Sequence, residues 1–177
     1  MYFVQEDWPG GAYVSPTAQG SRSGGLSAAM WAAMVCMGEE GYLKAARAIM
    51  DTSDKMRQGI ASIPELRIMG KSTFLISLTS DVVDPYFVND YLAKMGWRMN
   101  GCQNPPGFHF CITLPQALPG IAERFVKDLA DGVKFAQDPP YEVPKTGFLY
   151  GMGATADGRE MMRLGMKGFI DAGYEVD

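Results

Sequence analysis

The stretch Leu66-Arg-Ile-Met-Gly-Lys-Ser-Thr-Phe-Leu-Ile-Ser-Leu-Thr-Ser80 carries two runs of strand-forming residues, 66–69 and 73–80, separated by Gly70-Lys71. Runs of this kind around a glycine turn predict a β-hairpin. Upstream, Tyr42, Ala46, Ile49, Met56 and Ile60 recur at roughly helical spacing with charges between them, which predicts an amphipathic helix over 39–63 bounded by Gly38 and Pro64. Residues 26–37 are rich in Ala and Met and apolar on nearly every side, so a buried helix is expected, with Met30, Met34 and Met37 filling core space. Residues 1–25, dense in Gly, Pro and Ser, predict an initial strand followed by a loop.

Downstream, Asp84-Pro85 joins a capping residue to a proline suited to the first helical position, predicting a helix that runs to about residue 95 and stops at Gly96. Residues 97–100 and 108–114 read as two more strands linked by Asn104-Pro-Pro-Gly107. Ile121, Phe125, Leu129 and Val133 mark one face of a helix over 118–135, and a mixed segment at 148–152 precedes a last helix over about 157–172. This order predicts an α+β layer: an antiparallel sheet covered by helices.

Composition narrows the function. The 177 residues are 47% apolar and 20% charged, as in a folded globular chain. A net charge of −4, with the basic residues scattered, removes the electrostatic basis for a general nucleic-acid binder. Cys36, Cys102 and Cys111 form neither a CxxC pair nor an even disulfide framework, so reduced thiols and a cytoplasmic location are expected. The longest apolar stretch, 26–37, is well short of the ~20 residues that cross a bilayer. The opening Met-Tyr-Phe-Val lacks the basic start and apolar region of a signal peptide, and its strand-like character predicts that it continues a larger sheet.

Ser15-Pro-Thr-Ala-Gln-Gly-Ser-Arg-Ser-Gly-Gly25 leads directly into a predicted helix. Glycine amides, the hydroxyls of Thr17, Ser21 and Ser23, and a helix N-terminus together suit a phosphate, although the loop matches neither a Walker A nor a dinucleotide-binding pattern. An ordinary turn is the competing reading. His109, the only histidine, falls on a predicted strand with Cys111 on the same face. A sheet histidine with ordinary hydrogen bonds comes first, a catalytic one second; two ligands do not make a zinc site. Glu6-Asp7 and Glu39-Glu40 are adjacent pairs whose side chains diverge, which excludes an acid–base couple.

Longer words in the chain carry a resemblance. Tyr2-Phe-Val, Asp7-Trp-Pro-Gly-Gly11, Ser15-Pro-Thr17, Gly20-Ser-Arg22, Gly38-Glu-Glu-Gly-Tyr42, His109-Phe-Cys-Ile-Thr113 and Tyr150-Gly-Met152 resemble the sphingosine-1-phosphate lyase branch of the pyridoxal-phosphate-dependent group II decarboxylases. The resemblance covers essentially the whole chain. It implies a fold-type I, transferase-like α/β architecture, with residues 1–37 ending the large cofactor-binding domain and 38–177 forming the C-terminal small α/β domain.

It also implies pyridoxal 5'-phosphate as cofactor and a homodimer, while the charge and the short apolar stretches predict no nucleic-acid partner and no membrane span in this chain. The implied reaction cleaves a phosphorylated long-chain base to a fatty aldehyde and phosphoethanolamine. Gly20, Ser21 and Arg22 correspond to the segment that reaches the cofactor phosphate of the partner subunit. The lysine that carries the cofactor lies upstream of Tyr2-Phe-Val in the family, and none of the eight lysines here sits in its motif. The chain is therefore expected to be a fragment, inactive alone. Two departures stand out: Ser23 where relatives often have proline, and Leu114-Pro-Gln116 where some have a second histidine. An amino-acid decarboxylase and a non-catalytic dimerising module are the alternatives.

Overall fold

A computed structural model describes residues 3–15, 23–147 and 156–174. Strands β1 (Phe3–Gln5) and β2 (Tyr13–Ser15) pair antiparallel, with Val4 opposite Val14. The initial strand is thus present, and the Gly-rich segment that follows folds back through a second strand absent from the expectation.

Helix α1 (Gly24–Ile60) is broken at Gly38, whose φ of 62° and ψ of 175° only glycine adopts readily. The sequence placed the punctuation correctly, but the two halves have different fates. Met56 and Ile60 enter the core, whereas Leu26, Met30, Trp31, Met34, Val35 and Met37 are all exposed. The expectation of a buried helix at 26–37 is corrected, and so is the core role of its methionines: the described residues put nothing over this half.

Strands β3 (Arg67–Met69) and β4 (Leu75–Thr79) form the expected hairpin, with Ile68 opposite Leu78. The connection is longer than Gly70-Lys71, because Arg57 and Ser53 of α1 capture its carbonyls. Arg57 Nη2 donates to Ser72 O at 2.6 Å and to Leu75 O at 3.0 Å, and Ser53 Oγ donates to Thr73 O at 2.6 Å.

Helix α2 (Pro85–Lys94) starts as expected, Asp84 accepting from the Tyr86 amide at 2.9 Å, and ends before Gly96 at φ 91°. Residues 97–99 do not join the sheet. The Trp97 amide donates to Leu92 O at 2.9 Å and its indole to Asp128 at 2.9 Å, which draws the ring into the core. Strand β5 therefore begins later, at Asn100–Cys102, and pairs with β6 (Gly107–Cys111). The four strands run in the order β3-β4-β6-β5, all antiparallel.

A 3-10 turn at Leu114–Ala117 leads into α3 (Ile121–Gln137), and the last helix, α4 (Ala156–Tyr174), lies against β1. The predicted mixed segment at 148–152 lies outside the described residues. One sheet face meets α1, α2 and α3 through Ile76, Leu78, Phe108, Phe110, Phe125 and Leu129. Phe110 stacks on Phe125 with centroids 5.1 Å apart, and the Trp97 edge meets both rings. Gly59 lets α1 approach α3 closely, since a Cβ there would lie 2.4 Å from a Val126 methyl. The antiparallel, helix-covered layer expected from the sequence is the fold observed.

Candidate functional site

Gly20, Ser21 and Arg22, the expected phosphate contacts, lie outside the described residues. Their flanks are described. Ser23 caps α1 with extended backbone and no side-chain capping bond, and the first turn of α1 holds no acidic residue. Amides at a helix start, with no carboxylate in the first turn, suit a phosphate oxygen. The donor chemistry beside the loop therefore fits a phosphate-bearing cofactor, and Ser23 supplies a hydroxyl where proline would supply none.

The approach to that loop is held from the sheet. Gln103, fully buried after β5, donates from Nε2 to Glu6 O at 3.2 Å and Trp8 O at 3.1 Å, while its amide donates to Pro9 O at 2.9 Å. These bonds tie residues 6–9, which lead into β2, to the four-stranded sheet. Gln103 Oε1 has no hydrogen-bond partner among the described residues. A glutamine in a turn-rich segment gave no sequence signal of this role.

His109 sits on β6 as expected, on the sheet face away from the helices. Its Nδ1 lies 3.4 Å from the thiol of Cys102 on β5, a neighbour that the sequence spacing to Cys111 did not reveal. Burial lowers the His109 pKa and raises that of Cys102, so both groups are held neutral and the pair is not a thiolate–imidazolium couple. Among the described residues no three His, Cys, Asp or Glu side chains gather as a metal site. All three cysteines are free.

Asp90, buried on α2, was missed by sequence reading. It accepts from Tyr141 Oη at 2.9 Å and from the amides of Lys145 and Thr146 at 2.8 and 2.7 Å. Burial works to raise its pKa, but the Thr146 side chain, these two amides and Tyr141 outweigh it and hold the carboxyl below its ordinary range. Burial and then the Asp90 carboxylate push Tyr141 up to about 12. The clasp fixes the chain just before residues 148–155, which include Tyr150-Gly-Met152.

Comparison with known proteins agrees with this architecture. No family model matches the sequence. The fold is that of part of a solved lyase: the sphingosine-1-phosphate lyase of Burkholderia pseudomallei is 41% identical, with a TM-score of 0.68, over 99% of this chain and 36% of that one. The sphingosine-1-phosphate lyase of Dictyostelium discoideum is 40% identical over 97% of this chain, and sphingosine-1-phosphate lyase 1 of Rattus norvegicus 34% identical over 100%. Over nearly its whole length, then, the chain is similar to sphingosine-1-phosphate lyases. It spans about a third of the length of the curated relatives that it matches, 32% in both cases.

Proposed function

We propose that this chain is the C-terminal part of a pyridoxal 5'-phosphate-dependent carbon–carbon lyase that cleaves phosphorylated long-chain bases to a fatty aldehyde and phosphoethanolamine. The observation that carries the reading is identity of 34–40% to sphingosine-1-phosphate lyases across essentially every residue of the chain. When bound, the cofactor would supply an electron sink for the bond that breaks. This chain's contribution is positional. Gly20 and Ser21 would hold the cofactor phosphate of a partner subunit, with Arg22 beside them, and Gln103 would fix the approach to that loop.

Residues 1–37 would close the large domain and 38–177 form the small one. The break at Gly38 and the apolar, uncovered half of α1 support that division, because a helix apolar on nearly every side is stable only when enclosed. The rest of a longer chain and a second subunit would enclose it. Three free cysteines suit a cytoplasmic, reducing setting.

The test is a chimera in which this chain replaces the matching segment of the Burkholderia pseudomallei lyase. Release of aldehyde and phosphoethanolamine from sphingosine 1-phosphate is the expected result. A folded chimera that binds the cofactor but releases no aldehyde would overturn the assignment, and release of carbon dioxide from an amino acid would replace it with decarboxylation.

A further inference from the structure

A cleft of about 380 Å3 opens between the connection from α2 to β5, the 3-10 turn and the start of α3. Trp97, Arg98, Asn100, Phe110, Gln116 and Arg124 line it, and its lining holds no carboxylate. The volume falls in the range of small-molecule sites, roughly 300–1,000 Å3.

The polar groups left over in this cleft are chiefly donors. Gln116 Oε1 already accepts from the Thr113 amide at 2.9 Å and hydroxyl at 2.7 Å, so its NH2 is the free end. Arg124 donates from Nη2 to Met95 O at 2.8 Å and from Nε to Asp128 at 3.3 Å, and its guanidinium lies 5.2 Å from the Trp97 ring centroid. Those contacts fix the fork and leave Nη1 without a partner among the described residues. Arg98 has no hydrogen-bond or ion-pair partner among the described residues. Asp128 is the nearby acid: it is buried and committed to the Trp97 indole and Arg124.

Two guanidinium groups and a free amide, with one counter-charge held below the floor, form a cationic concavity on a chain of net charge −4. Guanidinium forks match the geometry of phosphate and carboxylate oxygens, and the Trp97 and Phe110 rings add apolar surface beneath. We propose that this cleft binds a small metabolite through a phosphate or carboxylate group, with Arg98, Arg124 and Gln116 as its donors. The assignment uses residues that the lyase reading leaves without a role, and it stands independently of that reading.

The test titrates the 177-residue chain with inorganic phosphate and, separately, with succinate at constant ionic strength, following the Trp97 indole N–H by 15N NMR. A saturable shift with either probe is expected, and the probe that saturates identifies the oxyanion. Arg98→Gln should weaken binding at least tenfold, Arg98→Lys less, and Arg47→Gln on exposed α1 not at all. Arg98 is exposed and has no partner among the described residues, so an unchanged melting temperature will show that its variants fold. No saturation with either probe, an unchanged affinity in Arg98→Gln, or an equal loss in Arg47→Gln would overturn the proposal.

Discussion

The Thr146 amide donates to Asp90 Oδ1 at 2.7 Å across 56 residues of sequence. With the Lys145 amide and the Tyr141 hydroxyl on Oδ2, this makes one buried carboxylate the anchor of the whole segment that follows α3. Asp90→Asn keeps the shape but loses the charge and turns one acceptor into a donor facing N–H groups. Charge-assisted bonds of this kind contribute about 1.5–3 kcal/mol each, so a loss of about 2–3 kcal/mol in a urea melt is expected. Faster amide exchange at 145 and 146 should accompany it.

Acid should weaken the fold in two stages. Burial holds the His109 pKa below its ordinary 6.5, so the unfolded chain takes up a proton first. The stability that this neutral histidine gives is complete above that value and falls as pH drops below it. Asp90 is also depressed, and its contribution is complete above the ordinary carboxylate value of 3.8 and disappears as pH falls through its lower folded value. His109→Gln should flatten the upper stage and leave the lower one, as read from melting temperature against pH.

Gly107 is fixed by the sheet itself. A Cβ there would sit 2.4 Å from the Leu78 carbonyl oxygen, a backbone atom that no side-chain rotation can move aside. Gly107→Ala should therefore cost about 1–3 kcal/mol, the usual scale of overpacking. Gly70→Ala offers a contrast, because open space surrounds that position and the cost arises only from its φ of 72°. Denaturant midpoints of the two variants will separate clash from backbone strain.

Gln103→Leu removes both side-chain bonds to residues 6–8 while keeping an apolar body of similar length. Hydrogen exchange should quicken across residues 3–15 and stay unchanged in β4 and β6. In the chimera described above, the expected effect is weaker cofactor retention with little change in global melting temperature. Gln103→Glu would bury a carboxyl group facing two carbonyl oxygens and should lower the global melting temperature as well.

The uncovered half of α1 should make the isolated chain associate. Leu26, Trp31 and Val35 are each more than 60% exposed, and their spacing leaves bare apolar surface on opposite sides of the helix. Sedimentation should show concentration-dependent assembly of the 177-residue chain, reduced by Trp31→Glu. A monodisperse monomer in the native sequence at high concentration would contradict this.

Local signals in the sequence set the punctuation and the class of the fold. Gly38, Asp84-Pro85 and Gly96 act on the φ and ψ of their own few residues, so they mark the break in α1 and both ends of α2 wherever the chain goes afterwards. The alternation of apolar positions likewise dictated α3 and the 67–79 hairpin, and distinctive words carried the resemblance over nearly the whole chain. Which surfaces meet depends on packing between distant segments, and the folded chain alone shows it. It placed Cys102 rather than Cys111 beside His109, because that contact depends on the β5–β6 register. It took Trp97 out of the sheet, because Asp128 on α3 holds its indole, and it chose Asp90 and Gln103 as clasps through partners far away in sequence. It also left residues 26–37 bare. An apolar pattern says that a helix seeks cover, but whether cover is present depends on which other elements the folded chain brings to it.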